Sequence, residues 1–169
     1  MIRILITFLL PLSIFSQSSY NLSLLGTYDN YNSEGNDIWD WVAPDGSEYA
    51  LVGLNDGFSV VNVTNPSNPT EEFFINDLNS TWRDVKTYGN YAYVTTEADA
   101  GLLIVDLSDM TGNTYYHRTV FNSPSGPSTE FTAAHNIYMD ENGVAYIFGA
   151  SYNAGGSPSD GVIFIYVVD

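Results

Sequence analysis

Three dipeptides carry most of the side chains here that could act on or hold a ligand: Trp39–Asp40, Arg83–Asp84 and His135–Asn136. Each opens a run of similar layout. Trp39, Arg83 and His135 therefore fall at one equivalent position, and Asp40, Asp84 and Asn136 at the next. Gathered at one point, these six would offer an aromatic platform, a fixed cation, a titratable imidazole and two carboxylates. Such a set suits a polar ligand or an ion. The plainer reading is that Arg83–Asp84 and His135–Asn136 satisfy loop backbone groups and stitch neighbouring units together.

Other chemistries find little support. The absence of cysteine removes a thiolate nucleophile and any disulfide. His117 and His135 are the only histidines, and they form no H-x-x-H pair of the kind zinc sites use. Ser125 lies in SPSGPS, which lacks the first glycine of a G-x-S-x-G elbow. The acidic loops DLSDMTGN (Asp106–Asn113) and DENG (Asp140–Gly143) miss the EF-hand spacing. Their oxygens could hold a loose Ca²⁺, but forming turns is the simpler role for Asp and Asn. Trp39, Trp41 and Trp82 could stack on sugars, with packing as the simpler use. No catalytic residue, metal site or cofactor is assigned.

The elements that would position these residues are strands. No stretch of a dozen residues keeps a 3.6-residue apolar period with caps. Short β-branched and aromatic runs alternate instead with Gly, Asn, Asp and Pro clusters, which predicts an all-β chain. Three segments, Ile38–Val63, Trp82–Leu107 and Ala134–Val167, share one order. A short run leads to a polar turn (APDGSE, YGN, DENG), then a strand (YALV, YAYV, VAYI), a loop ending in Gly, and a second strand (FSVVNV, LLIVDL, VIFIYV).

The spacing fits a repeat. Tyr49 and Tyr91 are 42 residues apart, and Gly57 and Gly101 are 44 apart. The third unit is offset by a linker, Met110–Glu130, and an enlarged loop, Ser151–Asp160. A period in the low forties is about that of a four-stranded propeller blade. EFFI (Glu72–Ile75) and Tyr115–Val120 supply fourth strands for the first two units. Apolar runs such as GLLIVDL predict strands covered on both faces by neighbouring blades. The expected architecture is an all-β β-propeller, about three blades of an incomplete ring, with units near residues 37–76, 81–120 and 132–169.

Residues 1–16, MIRILITFLLPLSIFS, have a basic start, an apolar stretch and small residues before Gln17, the layout of a secretory signal peptide. Its removal leaves residues 17–169 as the partial propeller domain, outside the cytoplasm. No second apolar segment is long enough to span a bilayer. The net charge is −16, which disfavours nucleic acid and anionic membranes. It suits divalent cations or a basic partner, and solubility is its plainer purpose.

GLLIVDLSD and GFSVVNVTNPSNP resemble the LVIVD-type repeat of secreted bacterial β-propellers. The fuller order is similar to the choice-of-anchor B family: NDIWDW with YALVGLNDG, then TWRDVKTYGNYAYVTTEADAGLLIVDLSD, then AHNIYMDENGVAYIFGA. The likeness runs from about Leu22 onward. It implies a secreted or cell-surface bacterial protein held by differing C-terminal devices, with no established catalytic activity. A family member would continue into further blades and an anchor beyond Asp169, so the chain is expected to be a fragment.

The leading expectation is a non-enzymatic binding module for a protein or glycan ligand. The alternative is a propeller enzyme, a hydrolase or lyase, with an axial site drawing on Arg83, His135, Asp40 and Asp84. A purely structural surface-layer component is a third option.

Overall fold

The structure, a computed structural model, describes residues 21–122, 128–151 and 161–167. The expected signal segment, Ser125 and nearly all of the enlarged loop lie outside these residues. The described residues form strands and loops without an α-helix.

The first sheet is β1 (Gly35–Val42), β2 (Glu48–Leu54), β3 (Gly57–Asn62) and β4 (Thr70–Asn76), antiparallel in that order. The second is β5 (Arg83–Tyr88), β6 (Tyr91–Thr96), β7 (Leu102–Asp106) and β8 (Tyr115–Arg118), again in order. A two-residue pair follows, β9 (Val120–Phe121) with β10 (Thr129–Glu130). The third sheet is β11 (Asn136–Met139), β12 (Val144–Phe148) and β13 (Val162–Tyr166). The expected fourth strands of the first two units are thus β4 and β8. The sheets are not closed into a ring.

Local chemistry sets the hairpins. In DENG, Asp140 accepts from the amides of Asn142 and Val144, both at 2.9 Å, and Gly143 takes φ +77°. Asp106 accepts from Ser108 N at 2.9 Å, and Asp109 from Thr111 N at 3.1 Å. These acids close turns, the role Asp plays by mimicking a backbone acceptor. Among the described residues, no three His, Cys, Asp or Glu side chains gather as metal ligands.

The sheets stack face to face. One core joins Trp41, Tyr49, Phe58 and Phe73 of the first sheet to Val85, Ala92, Val94 and Leu103 of the second. A second core joins Tyr93 and Leu102 of the second sheet to Ile137, Ala145 and Ile147 of the third. The run 102–105 is buried throughout because β7 lies between the two cores. Each fully buried Leu, Ile or Val contributes roughly 1.5–3 kcal/mol. On the first-sheet side of the first core, Leu51, Val60 and Ile75 pack beside the aromatics, and on the second-sheet side of the second core Leu102 and Ile104 pack beside Tyr93.

The glycine ahead of each buried run has a steric cause. A Cβ on Gly57 would lie 2.2 Å from the Ile75 carbonyl oxygen on β4, and one on Gly101 2.4 Å from that of Arg118 on β8. The outer strand crowds the backbone there, and Gly101 also takes φ +76°.

Candidate functional site

The first strands β1, β5 and β11 meet side by side, so their side chains form the line where the predicted positions gather. The register corrects both first-unit positions: Trp39, opposite Leu51, is equivalent to Lys86, opposite Tyr93, and not to Arg83, and Asp40 moves with it. Asp84 pairs with Thr95, four residues beyond Tyr91, and Asn136 with Phe148, four beyond Val144. The residue opposite the counterpart in the first sheet, Gly53, is Asp37. Asp37, not Asp40, is therefore equivalent to Asp84 and Asn136. The reason is length: β1 and β2 continue to Val42 and Glu48 before turning, whereas β5 and β6 turn at Tyr88 and Tyr91.

Corrected in this way, the position has a repeated function. The Asp37 carboxylate accepts the Val85 backbone N–H at 2.8 Å, and the Asp84 carboxylate accepts that of Ile137 at 2.8 Å. Each acid reaches to the first strand of the next sheet, one residue past its own counterpart. Lys86 sits between them, 2.7 Å from Asp84 Oδ1 and 3.6 Å from Asp37 Oδ2, with its ammonium 4.4 Å from the Trp39 ring centroid. Burial and the neighbouring Asp37 carboxyl push Asp84 up from the usual carboxylate value, against the Ile137 amide and Lys86. Burial also opposes ionisation of Asp37, but hydrogen bonds from Asp84, Val85 and Ile38 outweigh it and hold Asp37 below the usual value. Two carboxyls driven apart in this way resemble an acid–base pair. Here both are already engaged by the backbone and Lys86.

Arg83 is buried and fully occupied. Its Nε donates to the Leu54 carbonyl at 2.7 Å, Nη1 to Asp77 Oδ2 at 2.6 Å, and Nη2 to the Leu78 carbonyl. These bonds tie the start of the second sheet to the end of the first. His117 Nε2 stands 3.2 Å from the other Asp77 oxygen. Trp41 is buried and donates to the Gly89 carbonyl at 3.1 Å, while half-exposed Trp39 donates to Thr87 Oγ1 at 3.1 Å.

The exposed members lie elsewhere on the line. Asp40 and Asn136 face solvent. His135 Nδ1 is 2.6 Å from Glu97 Oε1, and its ring centroid is 6.0 Å from that of exposed Trp82. His135 and Glu97 border a groove of about 360 Å³, with Ala134, Gly149 and Ser151. The structure thus divides the six: Arg83 and Asp84 go into seams, half-exposed Trp39 spans from β1 to Thr87 and Lys86 on β5, and Asp40, His135 and Asn136 remain exposed. Asp37, Lys86, Asp77 and Glu97 escaped sequence reasoning. Asp37 had a legible signal, an acid or amide followed by a β-branched residue in Asp37–Ile38, Asp84–Val85 and Asn136–Ile137.

Architecture and seams define a stack of repeated antiparallel sheets. Comparison with known families agrees: the LVIVD repeat matches residues 46–77 and 81–114. The chain carries two LVIVD repeats, spanning β2–β4 and β5–β7. No curated protein and no solved structure matches it.

Proposed function

We propose that this chain is a secreted or cell-surface β-propeller module of the choice-of-anchor B kind that binds a partner without transforming it. The three sheets are its blades, with β1, β5 and β11 nearest the axis. The basic–apolar layout of residues 1–16 supports secretion. The observation that carries the binding reading is the division of the six positions. A reactive centre would draw on Arg83 and Asp84, yet both are spent on backbone groups of adjoining sheets. Of the open positions, His135 borders a groove with Glu97, and exposed Trp82 stands beside its ring; together they offer aromatic surface and hydrogen-bonding groups suited to a glycan or a protein loop.

The test applies the purified protein to immobilised oligosaccharides and peptides. Saturable binding weakened by Trp82→Ala, without product formation, is expected. Turnover of chromogenic glycosides or esters that disappears in His135→Ala would replace this reading with the hydrolase one. The favourable fact for that second reading is the close His135–Glu97 pair. Secretion is tested by the mass of the exported product, which should begin at Gln17.

A further inference from the structure

Each seam has an opening at the same end of its strands. In the first, Asn55 and Asp56 face Ser80 and Thr81 around a groove of about 360 Å³. In the second, Glu97 faces Ala133 and Ala134 around another of about 360 Å³, with His135 at its border. Register makes the two equivalent. Asn55 and Glu97 are each six residues beyond Tyr49 and Tyr91, and Thr81 and Ala133 each three before Asp84 and Asn136. Each opening is bordered by the turn after the second strand of one sheet and the lead-in to the next. Neither depends on what covers the outer faces of the stack.

The chemistry of this rim is one-sided. No Lys or Arg lines either opening among the described residues. Each holds a carboxylate with one oxygen engaged: Ser33 Oγ donates to Asp56 Oδ1, and His135 Nδ1 donates to Glu97 Oε1 at 2.6 Å. Among the described residues the second oxygen of each has no partner. Trp82 stands between the openings. Ser80 Oγ bonds its carbonyl at 2.8 Å and its N–H at 3.3 Å, and the same carbonyl accepts the Glu97 N–H at 3.4 Å. Its ring is 52% exposed, and the His135 and Glu97 side chains are 58% and 44% exposed. An open indole beside an open carboxylate can hold a guanidinium: the π face takes the delocalised charge and the carboxylate takes an N–H. Stacking alone would suit a neutral sugar equally. Charge decides between them. With 20 Asp and Glu against four Lys and Arg, the field of the chain draws cations to the rim.

We propose that the partner bound at this rim is a basic protein segment, with an arginine side chain laid on Trp82 and paired with Glu97. This rests on the binding reading above and narrows its ligand to a basic loop. Asp56, one unit away, offers a second carboxylate to a segment lying along the rim.

Calorimetric titration of the full chain with a blocked peptide of alternating arginine and glycine tests it. Saturable binding that weakens as salt is raised is expected. The same peptide with uncharged citrulline for arginine should bind about tenfold more weakly or worse. Glu97→Gln and Trp82→Ala should each weaken binding of the arginine peptide about fivefold or more. Glu141→Gln, at the exposed β11–β12 turn, should leave it as in wild type. Circular dichroism checks the folds, with Trp82→Leu as the replacement should Trp82→Ala unfold. Equal losses in Glu97→Gln and Glu141→Gln would overturn the proposal, since the whole acidic surface would then be responsible. Binding of cellohexaose that is weakened by Trp82→Ala, with none of the arginine peptide, would overturn it and leave the broader binding reading standing. Binding of neither, with glycoside or ester turnover lost in His135→Ala, would overturn both.

Discussion

Asp84 and Asp40 look alike in sequence, and the fold gives them opposite fates. Asp84 is buried and holds the Ile137 N–H, whereas Asp40 faces solvent. Asp84→Ala strands that amide and should cost about 1–3 kcal/mol in denaturant melts, with Asp40→Ala within about 0.5 kcal/mol of wild type. Acid sensitivity follows from the same scale. Hydrogen bonds hold Asp37, Asp109 and Asp140 below the ordinary 3.8. Carboxyls with a lowered folded value add stability above the unfolded value and lose it as pH falls through the folded one. Asp84 acts the other way: its value is raised, so its contribution is present at low pH and is lost as pH rises through the raised value. Asp45 is lowered too, by its hydrogen bonds from Ser47; four against one, the melting temperature should fall from about pH 4 downward. Asp37→Asn should flatten that fall, and a melt flat across the range would contradict the assignment.

At the scale of elements, most of the architecture was legible. Turn chemistry at APDGSE, YGN and DENG marked the hairpins, and apolar runs marked the buried strands, because both signals are local. Register was not local. Aligning Asp40 with Asp84 assumed equal hairpin lengths, but the first hairpin pairs one step further, Val42 with Glu48, and its turn has five residues against two. The acid–β-branched pair would have found Asp37. Nothing in the sequence marks Asp77 or Glu97, whose partners lie 6 and 38 residues away across sheet boundaries. The glycines also separate at this scale. Gly46 takes φ +89° with nothing near its Cβ position, so Gly46→Ala carries only the backbone penalty of about 1 kcal/mol. Gly101→Ala meets both its φ and the Arg118 carbonyl, and should lower the melting temperature clearly more.

Over the whole molecule, charge and packing are distributed by the stacking. Four Lys and Arg face 20 Asp and Glu. Two of the four, Arg83 and Lys86, are placed where sheets meet. The remaining charge is strongly acidic. The acids at the head of the first two units, Asp37 and Asp84, are latches between sheets. Amide hydrogen exchange tests this most directly. In Asp84→Ala the Ile137 amide should lose protection, in Asp37→Ala the Val85 amide should, and Asp40→Ala should leave both as in wild type. Unchanged protection of Ile137 in folded Asp84→Ala would contradict the claim.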